Sequence, residues 1–429
     1  MWVLLSGIGG FGYQNYDFVA RNPIYHDLCG YEWPVIYQTG ALSYYFSFWL
    51  FPSLVSKTFS LSLAGQNLCL YLWTALGICL TVYNLCKYLR KLSVIIPLIL
   101  IFFSGLHVIG YLIRVMYSMI YHSAYMSPAL KFHEMILFGH LDDWAKFFKY
   151  SSNTAMLFWV FNQSVPLWLI TSMFLQLHDS RNHFALSSLS FAYSPWAAIG
   201  FIPIALTAAF TRNKNLRSIF SVQNLLLPVV MLAVYGTFYL TSRGGSGEKM
   251  ALSSLTVTSY KSLMAYILFI FLEFGIYFIV MGRQAFRYDF CCVILLELLL
   301  LPLYQFISMD FIMRASIPAL FILMTFAMRF LIECPDAVRK KLLAVVMIIS
   351  AWSAMTEINR SMGYMALKLM DKCGILPIKF ERYLEKLHHE GLYSIGDVKP
   401  DDEENMNKYA QYISVNNYKD SAFFRYLAK

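Results

Sequence analysis

Two short stretches of this sequence set ionisable side chains at spacings that suit chemistry on a phosphorylated or hydroxylated substrate. The run GGFGYQNYDFVARNPIYHDLCGYEWPVIY gathers Asp17, Arg21, Asn22, His26, Asp27 and Glu32 within sixteen residues. If 16–28 is helical, Asp17 and Arg21 stand four residues apart on one face, Tyr25 continues that face and Asp27 is displaced from it. A carboxylate held beside a partly buried pocket can take the proton of an acceptor hydroxyl. The neighbouring arginine can hold a phosphate through paired, charge-assisted hydrogen bonds. The plainer reading is a surface ion pair worth under about 1 kcal/mol. Pro23 marks a helix start or bend. The second stretch, SMDFIMRASIP, again places an acid and a base four apart, Asp310 and Arg314, at the mouth of an apolar run. Charges there are paired or functional, so Arg314 either grips a phosphate or simply satisfies Asp310.

Other polar groups carry weaker signals. HLDDW offers Asp142 and Asp143 as hard oxygen ligands for a divalent cation facing Asp17, or as a solvated interfacial turn. No cofactor is firmly implied. His133–Glu134 opens no zinc motif, because position 137 is Leu. The eight cysteines form no CxxC pair and suit neither a zinc site nor a disulfide framework. His107, Glu273 and Glu297 fall inside apolar runs, where they belong to an ion path or to helix packing.

The elements that position these groups are membrane helices. Of 429 residues, 58% are hydrophobic and only 14% charged, with a mean hydropathy of +0.53, against about 25% charged in an average soluble domain. The fold class is therefore all-α, a polytopic transmembrane helical bundle. Runs of roughly 20 apolar residues mark spans near 41–57, 67–86, 94–117, 154–178, 187–210, 219–241, 263–281, 289–306, 315–332 and 342–356, about ten or eleven crossings with the start of the chain. Residues 1–10 read as a partial first helix, 11–40 as an outer loop, 41–356 as the helical body and 357–429 as a tail outside the membrane, with an amphipathic helix from Lys379 to Glu390. The net charge of +9 lies in loops and tail, as in membrane proteins that concentrate basic residues on one side, and nucleic acid is a poor partner. Keeping TRNKNLR (211–217) and ECPDAVRKK (333–341) inside puts 242–262, 308–314 and the tail outside. The same count puts 11–40 and KYLRK (87–91) outside, the latter against the positive-inside trend.

A first helix, an outer loop carrying Asp17, Arg21, Asn22 and Tyr25, and a downstream Glu32-Trp33-Pro34 resemble the GT-C superfamily of membrane glycosyltransferases. Longer strings, SGLHVIG, HLDDW, YSSNTAMLFWVFNQSVPLW and DFIMRASIPAL, are similar to uncharacterised bacterial GT-C-type proteins. The resemblance implies transfer of a sugar from a polyprenyl-phosphate donor to a glycan or lipid acceptor of the cell envelope, at the bacterial inner membrane. It gives Asp17 the role of catalytic base and Asp27 or Glu32 that of a supporting acid. The paired acids usual in the first loop are missing, since Phe18 follows Asp17. A polymerase, ligase or flippase for lipid-linked polysaccharide, and an ion-coupled transporter using His107, Glu273 and Glu297, are the alternatives.

Overall fold

A computed structural model describes residues 1–121, 139–145, 147–178, 180–212, 219–242, 254–305, 310–375, 392–398, 402–409, 412–414 and 418–428. These form an all-α bundle with a few two- and three-residue strands. The main helices are α1 (Phe18–Gly30), α2 (Ser47–Thr58), α3 (Leu63–Tyr88), α4 (Ile95–Phe102), α5 (His107–Tyr121), α6 (Asn153–Gln176) and α7 (Pro195–Thr211). Then come α8 (Val222–Thr241), α9 (Tyr260–Arg287), α10 (Cys291–Leu300), α11 (Asp310–Ala315), α12 (Ile317–Glu333) and α13 (Ala337–Lys372). Among the described residues six helices are long and apolar enough to cross a membrane: α3, α4 with α5 as one run, α6, α8, α9 and α13.

Four expected spans are shorter than their hydropathy suggests. The stretch 41–57 divides into strand β2 (Gly40–Leu42) and the 12-residue α2, which rises only about 18 Å. Residues 187–210 break at Ser194, whose hydroxyl accepts from the Ala197 amide and starts α7 with Pro195 in its first turn. Helix α10 stops before Pro302, and α12 has 17 residues. Conversely, α13 runs 36 residues, about 54 Å, so the helical body extends to Lys372 rather than ending at 356. The expected helix Lys379–Glu390 lies outside the described residues.

The short α2 changes the topology. The Tyr25 hydroxyl donates to the Gln66 carbonyl at 2.7 Å, so α3 begins on the face of the first loop. Its far end at Tyr88 lies within electrostatic reach of Arg329, Arg212 and Asp289. KYLRK therefore shares a face with the basic segments instead of opposing them, which corrects the count made from sequence. The other face is sewn together by strands. Strand β1 (Ile36–Tyr37) pairs with β2, and β2 pairs with Ile413–Ser414 of the tail. Residues 254–255 pair with 304–305.

The bundle's centre is a repaired break. Between α4 and α5 the chain leaves helical geometry over 103–106, where lipid offers no hydrogen bonds. Asn153 Nδ2 donates to the Leu100 carbonyl (2.9 Å), Thr154 Oγ1 to Ile101 (2.6 Å), the Asn153 amide to Phe103 (3.1 Å) and the Tyr277 hydroxyl to Ser104 (2.7 Å). The Leu106 amide donates to the Leu272 carbonyl at 2.9 Å, where α9 takes one π turn over Phe271–Gly275. Gly105 admits this approach, since a Cβ there would sit 2.1 Å from Glu273 Oε2. His107 bridges two buried acids: Nε2 lies 2.8 Å from Glu273 Oε2 and Nδ1 lies 2.8 Å from Asp142 Oδ1. Replacing His107 by Leu leaves both carboxylates facing an apolar side chain. The expected loss is about 3–5 kcal/mol, read as a lowered thermal midpoint of the detergent-purified protein, with His107→Gln milder.

Candidate functional site

The loop before α1 folds because Gly7 adopts φ +81°; a Cβ there would lie 2.1 Å from the Tyr13 carbonyl. Asn15 then ties the loop to α6, donating from Nδ2 to the Phe158 carbonyl (2.9 Å) and accepting the Asp17 amide at Oδ1 (3.1 Å). Helix α1 begins immediately after Asp17 and runs unbroken past Pro23. The expected i, i+4 pair forms, with Arg21 Nη2 donating to Asp17 Oδ2 at 2.6 Å. It is not a surface pair. Arg21 is 5% exposed, beside the stacked rings of Phe18 and Phe161 at 5.9 and 5.8 Å. Its Nε and Nη1 have no partner within the protein.

Arg314 reaches the same place from α11. Its Nη2 lies 3.1 Å from Asp310 Oδ2, its guanidinium stacks 5.5 Å over Tyr45, and its Nε is buried without a partner. Burial works against its charge, but Asp310, then Tyr45, Tyr44 and Asp17, hold it above its ordinary pKa. Tyr412 completes the set: burial raises its phenol, with Tyr44 next in effect and Arg21 and Asp17 also in reach. Tyr412 meets Tyr44 edge-on at 5.1 Å. Asn162 Nδ2 donates to the Tyr45 carbonyl at 3.0 Å, while Asn162 Oδ1 and Ser43 Oγ have no partner. Two guanidinium groups with unmet N–H donors, Arg21 buried and Arg314 half-buried, a carboxylate, phenol rings and free acceptors have the chemistry to hold a phosphate with a hydroxylated group attached.

The remaining candidates lie elsewhere. Asp27 is buried on the displaced face of α1, where Oδ2 accepts from the Tyr37 hydroxyl (2.7 Å) and the Ile395 amide (2.9 Å). It anchors the tail and is no supporting acid for Asp17. Glu32 is exposed near Lys57. Asp142 is buried rather than solvated, engaged by His107, the Ser152 amide (3.1 Å) and the Ser353 hydroxyl (2.7 Å). Asp143 pairs with Lys149 at 2.7 Å. The two acids are thus committed to different partners, and the solvated turn expected for both holds only for Asp143. No group of three or more His, Cys, Asp or Glu side chains among the described residues is arranged to hold a metal ion. Glu273 also accepts the Trp144 indole N–H (2.7 Å), so with His107 it is a packing lock. Glu297 is buried with both carboxyl oxygens unpartnered.

Tyr44, Tyr45, Asn162 and Tyr412 were not singled out by sequence, and neither was a second cluster on α13. There Glu357 takes Trp159 Nε1 (3.1 Å), His140 Nδ1 (2.6 Å) and Arg360 Nη2. Its signal was available: Ser350, Ser353, Glu357, Ser361 and Tyr364 make a polar stripe at three- and four-residue steps down an otherwise apolar helix.

No family model, curated protein or solved structure matches the chain, and the functional reading stands on these side chains.

Burial raises the Asp27 carboxyl above its ordinary value, and bonds from Ser394, Tyr37 and Ile395 only partly offset this. A raised folded-state pKa favours the folded form at low pH. The Asp27 contribution to tail docking is thus complete below the ordinary carboxylate pKa and lost as pH rises through the raised one. Asp27→Ala leaves two buried donors unmet, about 1–3 kcal/mol each. Hydrogen exchange over 392–398 is expected to speed up about tenfold or more in that variant, and in the parent to quicken at high pH beyond the intrinsic rate.

Proposed function

We propose that this protein is a GT-C-like membrane glycosyltransferase of the cell membrane, which moves a sugar from a polyprenyl-phosphate donor to a hydroxyl of a cell-envelope glycan or lipid. The observation that carries this is the meeting of Arg21 and Arg314, each with buried, unmet N–H donors, beside Asp17. Their forks suit the planar recognition of phosphate oxygens. Gripping those oxygens also stabilises the negative charge that grows on the phosphate as it leaves the sugar.

In this reading Asp17 Oδ1, the oxygen turned away from Arg21, takes the proton of the acceptor hydroxyl. The acceptor oxygen forms its bond to the sugar C1 as the bond from C1 to the phosphate oxygen breaks. The electron pair of that bond leaves with the polyprenyl phosphate, whose charge Arg21 and Arg314 hold. Asn162 Oδ1 and Ser43 Oγ accept from sugar hydroxyls.

The test is a transfer assay in reconstituted vesicles with a panel of polyprenyl-phosphate sugars. The parent is expected to transfer, Asp17→Asn to fold and lose about 10²–10⁴-fold in rate as expected for a lost general base, and Arg314→Gln to lose both rate and donor affinity. Transfer by the parent with Asp17→Asn equally active would remove Asp17 as the base. Absence of transfer with every donor, while Arg21 and Arg314 still bind polyprenyl phosphate, favours a polymerase, ligase or flippase that shares the phosphate site.

A further inference from the structure

The two ends of the segment 13–17 meet different sets of side chains, one of which the transfer step above leaves unused. At one end Asp17 pairs with Arg21. At the other, Tyr13 lies 5.8 Å from the Arg360 guanidinium and 4.7 Å from the Tyr364 ring. Helix α6 repeats the alternation: Phe161 faces Arg21 at 5.8 Å and Trp159 faces Arg360 at 5.2 Å. Between them Val160 departs from helical geometry (φ −142°, ψ 37°), so the two rings serve two sites.

This second face is built from within. Glu357 is 1% exposed, and its three donors leave it fully engaged. It fixes His140, Trp159 and Arg360 in place. The Nε of Arg360 remains buried with no partner, an unfavourable state that an arriving acceptor relieves. Lys149 and Lys368 add positive charge, the first beside His140 at 3.2 Å and the second over Tyr364 at 5.4 Å. Arg360 is paired with Glu357 and Lys149 with Asp143, which leaves the free Nε of Arg360 as the group that would meet an anion. Aromatic rings beside a guanidinium with a free donor fit a sugar ring bearing an oxyanion.

We propose that the face formed by Tyr13, Trp159 and Arg360 binds the second substrate of the transfer, an acceptor sugar that carries an oxyanion. This rests on the transferase reading, since a two-substrate reaction needs a second site next to the first. The oxyanion is either the carboxylate of a uronic acid or a phosphate ester on the sugar.

The experiment is calorimetric titration of the full-length, detergent-purified protein with D-glucuronate, D-glucose 6-phosphate and D-glucose. At least one of the two anionic sugars should bind saturably, and neutral glucose should not. The first two titrations tell the carboxylate from the phosphate. Arg360→Gln should weaken binding about tenfold or more, as expected for a lost charge-assisted contact, and Arg287→Gln, at the exposed end of α9, should leave it unchanged. Because Arg360→Gln also strips a donor from Glu357, Arg360→Lys is run beside it. It keeps the ion pair, lacks the planar fork, and should weaken binding too. Binding of neither anionic sugar, equal binding of glucose, parent-like affinity in both Arg360 variants, or an equal loss in Arg287→Gln would each overturn the proposal. Anionic-sugar binding in a protein that transfers from no donor would leave the site standing and overturn its assignment to an acceptor, which separates this failure from that of the transferase reading.

Discussion

Within a bilayer every backbone amide and carbonyl must find its partner inside the protein, and the rest of this fold answers to that rule at one place. The run from Ile95 breaks after Phe102, and the exposed carbonyls of Leu100, Ile101, Phe103 and Ser104 are met by Asn153, Thr154 and Tyr277. Meeting them requires α6 to begin at the break and α9 to bring Tyr277 alongside. The Leu106 amide in turn reaches the Leu272 carbonyl inside the π turn of α9. Residues 139–145 are drawn into the same neighbourhood, where Asp142 and Trp144 meet His107 and Glu273. A buried ion network of this kind is weak evidence for stability in itself. Here it fixes which four elements touch.

The start of α6 so determined sets Trp159 and Phe161 on either side of the loop that carries Tyr13 and Asp17. Each ring takes one guanidinium, and each guanidinium keeps at least one nitrogen free. Arginine suits this position because its flat, weakly hydrated head tolerates burial against aromatic faces while its charge persists. The carboxylates beside the two arginines differ in burial: Asp17 is partly open, whereas Glu357 is closed off by three donors. Only the first is open to solvent; the second organises its neighbours.

The sequence carried much of this, unevenly. Hydropathy located α3, α6, α8 and α9 to within a few residues, because lipid imposes one length and one composition on a crossing helix. The four-residue spacing of Asp17 with Arg21 and of Asp310 with Arg314 gave both ion pairs, since such contacts are local. What spacing could not express is that the two pairs meet, from opposite ends of the chain and through Tyr44, Tyr45 and Tyr412. Hydropathy also misjudged 41–57, where an apolar run is a buried strand and a short helix packed on the first loop. That one error reversed the side of KYLRK. Asp142 and Asp143 looked alike by sequence, yet burial divides them.

The pairing of β2 with the tail and the bond from the Ile395 amide to Asp27, 368 residues apart, set an order on synthesis. At about 5–20 residues per second, the first loop is made on the order of twenty to seventy seconds before the segment that covers it. Through that interval the helices enter the bilayer while the Asp17 face still lacks its Tyr412 wall. The Asp17 face is consequently the last part of the molecule to close, and a chain halted before Tyr412 has its membrane helices without that wall.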